Sequence, residues 1–159
     1  MRKQGYFKKR DFLPDTKTNR TDIGRFINYI MEDGRKAAAE RVVYSALESI
    51  KETTKEDPIK VFEKALENAN PLLEVVSKRI GGANYQIPRE VRAERQFFLA
   101  THWIIKAAKA KKGKPMGERL AEELILAAKN EGSAIKKKQD THRMAEANRA
   151  FASLMRGAS

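Results

Sequence analysis

Two adjacent glycines, Gly81 and Gly82, sit in the one stretch of this chain whose apolar spacing is not helical, and they restrict what the rest can become. Residues 77–94 read SKRIGGANYQIPREVRAE. Apolar residues elsewhere recur every three or four positions, as an amphipathic helix requires, and here that recurrence stops. Glycine tolerates the positive φ angles that a two-residue hairpin turn demands. A turn at Gly81-Gly82 sets Ile80 opposite Ala83, Arg79 opposite Asn84 and Lys78 opposite Tyr85. Further from the turn, Val76 meets Ile87 and Glu74 meets Arg89. Alternate pairs share a face, so Val76, Lys78, Tyr85 and Ile87 line one side. Pro88 has no N–H to donate, which confines it to an edge strand. The spacing therefore predicts a hairpin over about 73–90. Two strands alone are marginal in water, so the root, with Val75, Val76 and Ile87, must dock on helices. The tip offers Lys78, Arg79, Asn84, Tyr85 and Gln86, which gain little by packing on their own chain.

The remainder reads as helix, giving a mainly α fold of about six helices around this protruding hairpin. Residues 1–20 show little apolar periodicity and are read as a flexible basic N-terminal arm, with residues 21–159 as a single helical domain. Ile23, Phe26, Ile27, Ile30 and Met31 define the first helix, with Thr21 as its cap and Gly34 as its stop. Val42, Val43, Ala46, Leu47 and Ile50 define the second. Asp57 and Pro58 suit the cap and first turn of a third, which carries Phe62, Ala65, Leu66 and Ala69 and ends before Pro71. A fourth is expected over about 91–112, with Phe97, Thr101, Ile104 and Ala108 on one stripe. Pro115 opens a fifth, with Leu120, Leu124 and Ala127 inward, ending near Gly132. Ser133 is read as the cap of a sixth whose apolar face is Met144, Phe151 and Met155.

Charge narrows the function classes. The formal charge of +12 on 159 residues attracts polyanions. It is unevenly placed: residues 1–20 carry +5, residues 78–112 carry +7, residues 113–159 carry +3, and residues 33–69 carry −1. There is no cysteine, hence no disulfide framework, thiolate metal site or cysteine nucleophile. No run approaches the ~20 apolar residues of a membrane span, and the basic first residues lack the apolar segment of a secretory signal. A soluble, cytoplasmic protein is expected, with no membrane partner, metal or cofactor. Catalysis finds no support. His102 and His142 are the only histidines and stand in no metal-ligand arrangement; His102, beside Trp103, reads as a core or boundary residue. Glu122 and Glu123 are adjacent on a helix and point apart, and GGAN lacks the lysine of a phosphate-binding loop.

The basic clusters each carry a bland reading beside the functional one. Arg35 and Lys36 start a helix, where they are either surface residues or phosphate ligands beside free amides. Lys109, Lys111, Lys112 and Lys114 mass at a helix end, where part of their role is to complement the dipole. Lys136, Lys137 and Lys138 span most of a helix circumference and cannot all serve one groove. Tyr85 either stacks on an unpaired base or fills the junction between hairpin and helix.

KRIGGANYQIP at 78–88, DGRK at 33–36 and HRMAEANRAF at 142–151, with VVYSALE at 42–48 and GSAIKKK at 132–138, resemble the small-subunit ribosomal protein seven family in its bacterial or organellar form. The resemblance covers almost the whole chain. It implies a helical domain with a protruding hairpin. It also implies a non-enzymatic structural constituent of the small ribosomal subunit that binds the 3′ major domain of its RNA and nucleates assembly of the subunit head. Its expected place is the subunit interface, near the exit-site transfer RNA and the messenger path, as a monomer beside small-subunit proteins nine and eleven. Mapped onto this chain, the ribosomal RNA ligands implied are Arg2, Lys3, Lys8, Lys9 and Arg10 in the arm, then Arg35 and Lys36. Lys78, Arg79, Tyr85, Arg89, Arg92 and Arg95 follow at the hairpin and the helix behind it. Lys109, Lys111, Lys112, Lys114, Met116 and Arg119 complete the set at the next turn. Lys78, Arg79, Gly81, Gly82, Asn84, Lys136, Lys137, Arg143, Asn148 and Arg149 are the residues implied to lie near transfer or messenger RNA.

Overall fold

A computed structural model describes residues 12–155. The basic arm residues Arg2, Lys3, Lys8, Lys9 and Arg10 lie outside that range, as do the last residues of the chain. Among the described residues there are six α-helices, one two-stranded antiparallel hairpin and a closing 3-10 turn. In order these are α1 (Thr21–Ile30), α2 (Lys36–Thr54), α3 (Pro58–Ala69), β1 (Leu73–Ile80), β2 (Ala83–Glu90), α4 (Ala93–Ala110), α5 (Met116–Ala128), α6 (Gly132–Ala147) and the 3-10 turn (Arg149–Met155). The chain divides into two compact units, residues 1–40 and residues 41–159.

In the first unit the described part of the arm is ordered. The buried Asp15 carboxylate accepts from the amides of Lys17 and Thr18 and from the Thr18 hydroxyl, closing a turn that passes through Asn19 at a φ of 52°. This turn lies against α1 at Gly24, where a Cβ would stand 2.8 Å from the Leu13 carbonyl oxygen. Thr21 begins α1 rather than capping it. The cap position is Arg20, without a side-chain acceptor, and Asp22 supplies the carboxylate by accepting from the Ile23 amide. Burial works to raise the Asp22 carboxyl, but the Arg20 guanidinium at 2.6 Å and the Ile23 amide outweigh it and hold it below the ordinary value. Ile23, Phe26, Ile27 and Ile30 are buried as their spacing requires.

In the second unit α5 packs on α3 and α4, and α6 packs on α4, α5 and β1. Val43, Ala46 and Ile50 of α2, Phe62, Ala65 and Leu66 of α3, and Leu120, Leu124 and Ala127 of α5 are core residues. Gly117 allows α2 to approach α5 closely, since a Cβ there would meet the Ser45 hydroxyl at 2.8 Å. Asp57 caps α3 by accepting from the Ile59 amide at 3.0 Å, with Pro58 in the first turn. On α4 the stripe is Ala100, Thr101, Ile104, Ile105, Ala107 and Ala108, with Phe97 only half-buried.

Two expectations for α6 are corrected. Ser133 is not its cap, because the buried Glu123 carboxylate reaches over from α5 and accepts from the Ala134 amide at 3.1 Å. Its inward face is Ala134, Ile135, Thr141 and Ala145, whereas Met144 is exposed. The helix stops at Ala147, where Asn148 turns its side-chain amide back onto the Met144 carbonyl. Phe151 therefore belongs to the 3-10 turn, which packs on β2. His102 is likewise exposed on α4 rather than in the core, its ring against Phe98 at 3.9 Å between centroids.

Candidate nucleic-acid interface

The hairpin register is the one its glycines require: Ile80 pairs Ala83, Arg79 pairs Asn84, Lys78 pairs Tyr85, Val76 pairs Ile87 and Glu74 pairs Arg89. Gly81 and Gly82 adopt φ values of 57° and 93°, in the left-handed region that a side chain would strain. The two faces differ. Glu74 and Ile87 are buried and Val76, Lys78 and Tyr85 half-buried on one face, while Ser77, Arg79, Asn84 and Gln86 are exposed on the other. At the tip, Lys78 and Arg79 form no ion pair among the described residues. Tyr85 is half-buried, and the Phe151 ring of the 3-10 turn meets it edge-on at 5.4 Å.

The root of the hairpin is a charge cluster. Arg89 donates to one Glu74 oxygen through Nε at 2.8 Å and Nη2 at 2.6 Å. Arg95, one turn into α4, donates to the other oxygen through Nε at 3.3 Å. The Arg95 guanidinium also lies 5.0 Å above the Phe98 ring centre. Arg92, at the cap position of α4, is exposed, and with Glu90 it completes the lining of an open groove over this cluster.

The turn from α4 to α5 uses its basic residues differently. Arg119 donates through Nη1 to the Lys111 carbonyl oxygen, completing the end of α4, while its Nε is buried without a partner. Lys111 stands 3.1 Å from the buried Glu123 carboxylate, an ion pair not aligned as a directed hydrogen bond, and 3.7 Å from Glu122. Lys114 pairs with Glu122, whose carboxyl this hydrogen bond holds below its ordinary value. The two glutamates thus share Lys111 although one is buried and the other only half-buried. Met116 is half-buried, and Lys109 and Lys112 are exposed.

On α6, Lys136 and Lys137 face solvent and Lys138 turns inward. Its ammonium donates to the Asn68 carbonyl oxygen at 2.6 Å, and burial pulls its pKa down. Asn68 in turn donates to the Ala127 and Ala128 carbonyls at the end of α5, at 2.9 and 3.0 Å. His142 accepts from the Leu72 amide at 3.1 Å, just before β1, and burial, then the nearby Lys138 charge, lower its pKa. Arg143 and Arg149 are largely exposed, paired loosely with Asp140 at 3.7 Å and Glu146 at 3.3 Å. In the first unit, Arg35 and Lys36 are exposed just after Asp33 and Gly34, whose positive φ values of 51° and 72° reverse the chain, and Lys36 reaches Glu40 only at 4.0 Å.

Sequence reasoning missed Glu74, Asn68 and Glu123 as the residues that hold the cations and helix ends in place. The signal for Glu74 was present, since the register sets it opposite Arg89; nothing local announces the other two. Among the described residues no group of histidines and carboxylates could hold a metal ion, and no helix is long and apolar enough to cross a membrane.

The family model described as ribosomal protein S7p/S5e matches residues 1–149. The small ribosomal subunit protein uS7 of Thermotoga maritima is 54% identical over 144 residues, covering 91% of this chain and 93% of its own. That of Thermodesulfovibrio yellowstonii is 51% identical over 152 residues, covering 96% and 97%. That of Maricaulis maris is 54% identical over 143 residues, covering 90% and 92%. With a family model spanning nearly its full length and relatives at half identity or better, the chain belongs to the ribosomal protein S7p/S5e family.

Proposed function

We propose that this chain is a structural constituent of the small ribosomal subunit, not an enzyme, and that it binds the 3′ major domain of the subunit's RNA and nucleates assembly of the head. It works there as a monomer at the subunit interface, close to the exit-site transfer RNA and the messenger path, with small-subunit proteins nine and eleven as neighbours and the cytoplasm as its compartment. Its relatives' names supply the subunit. The observation that carries the RNA reading is the hairpin, with a root buried at Ile87 and a tip that exposes Arg79 and Asn84 around two glycines.

Duplex RNA hides its base edges in a deep groove, so recognition rests on shape, junctions and a few unstacked bases. Within the second unit the helices hold the hairpin by its root. The hairpin tip, Arg35 and Lys36, and the exposed Lys112, Lys136, Lys137, Arg143 and Arg149 present cations to phosphates. Contact with ~6–10 phosphates would make affinity fall about 10³- to 10⁵-fold between 50 and 200 mM salt, by analogy with duplex DNA. The test is binding to the 3′ major domain RNA in excess unrelated structured RNA at near-physiological salt. Binding that survives the competitor is expected. Binding stripped off by it would leave a general basic RNA- or DNA-binding protein.

A further inference from the structure

We propose that Arg89, Arg92 and Arg95 at the hairpin root form one preorganised site for an RNA backbone phosphate, and that the buried Glu74 is its positioning residue. The inference rests on the RNA-binding function proposed above and adds a residue of the opposite charge to it.

An arginine is a good phosphate ligand when its planar fork is already oriented, because less rotamer freedom is then lost on binding. Glu74 provides that orientation for two arginines at once. It is itself fixed on β1, with a side chain only 10% exposed, while Arg89 and Arg95 keep 46% and 47% exposure. The carboxylate therefore grips the inner edges of the two guanidinium groups. Arg89 uses Nε and Nη2 on one oxygen, which leaves Nη1 unused; Arg95 uses only Nε on the other, which leaves both of its terminal nitrogens. The Phe98 ring supports Arg95 on a further side. Arg92 lines the same groove at the start of α4, where the helix end adds partial positive charge.

The charges also balance in favour of an anion. One carboxylate faces two guanidinium groups, and Arg92 adds a third across a groove whose other acid is the exposed Glu90. A pair meant only to close the hairpin would need one arginine. Two on one buried acid leave net positive charge and donors directed at the groove, the geometry that matches a phosphate's several oxygens.

Glu74→Gln gives a test in which charge and position predict opposite signs. Removing an acid makes the protein more positive, so unspecific attraction to RNA would rise. If Glu74 positions the arginines, affinity for the 3′ major domain RNA falls about tenfold, the scale of one arginine contact. The slope of log K against log salt also becomes shallower by about one phosphate contact. Arg89→Lys, which keeps the charge and loses the fork, should weaken binding in the same way and serves as the reporter if Glu74→Gln does not fold. Circular dichroism and thermal melts establish folding for each variant. Equal or tighter binding by a folded Glu74→Gln protein, or unchanged binding by Arg89→Lys, overturns the positioning role. Loss of selective binding by the unaltered chain would instead overturn the underlying function.

Discussion

The hairpin tip and the α4–α5 turn are both basic in sequence, and they use their cations in opposite ways. At the turn, Lys111 and Lys114 are matched to Glu123 and Glu122, and Arg119 closes the carbonyl end of α4. At the tip, Lys78 and Arg79 have no ion pair among the described residues. The difference teaches that local positive charge is not a measure of RNA contact. A cation already satisfied by a buried acid must be released before it can serve a phosphate, whereas an unpaired one on a rigid strand is ready. The hairpin root lies between these cases, with its arginines held by an acid yet half exposed.

Breaking the turn should have the largest effect, and it should be an effect on stability. Glu123→Ala leaves the Ala134 amide without its acceptor and the Lys111 ammonium with only the more distant Glu122 carboxylate. A loss of about 3 kcal/mol is expected by urea denaturation, the low end for a broken buried pair because Lys111 keeps 26% side-chain exposure. A loss under about 1 kcal/mol would mean that the pair does not hold the turn. Arg119→Gln comes next, at about 1–2 kcal/mol, because the last carbonyls of α4 lose a charged donor. Its RNA affinity, measured on folded protein, should stay within about twofold. A large affinity loss with unchanged stability would move Arg119 from the scaffold to the interface.

The smallest effect is a pH dependence at the hairpin's attachment. Neutral His142 accepts a hydrogen bond from the Leu72 amide, and its folded pKa lies below the usual 6.5, from burial first and the Lys138 charge second. The unfolded chain therefore binds a proton more readily than the folded one. The stabilisation is fully present above about pH 6.5 and is lost as pH falls through the lower folded value. Thermal melts should show a slope there that His142→Gln flattens. An unchanged slope in that variant would assign the pH dependence to other groups.

Much of this contrast was legible in the sequence, for physical reasons that also explain the rest. The hairpin register followed from Gly81-Gly82, because a tight turn fixes every later pair and a slip of one residue would expose Ile87. The start of α3 followed from Asp57 and Pro58, since that cap acts through its own next residues. Thr21 and Ser133 misled because the acceptors came from elsewhere, Asp22 one residue on and Glu123 from another helix. Met144 and Phe151 sit seven apart and read as one helical face, but Asn148 ends the helix between them. Which lysines turn inward depends on which acceptors lie nearby in space: Lys138 reaches the Asn68 carbonyl oxygen, while its neighbour Lys137 stays exposed.

The central claim is that the unpaired cations of the hairpin tip meet the RNA, whereas the acid-paired Lys111 and Lys114 of the α4–α5 turn hold the fold. The direct measurement is the salt dependence of binding to the 3′ major domain RNA for the unaltered chain and for Lys78→Ala/Arg79→Ala, with thermal melts alongside. The account predicts an unchanged melt, weaker binding, and a slope of log K against log salt shallower by about 1.5, as two lost phosphate contacts require. An unchanged slope and affinity in the folded double variant would contradict it.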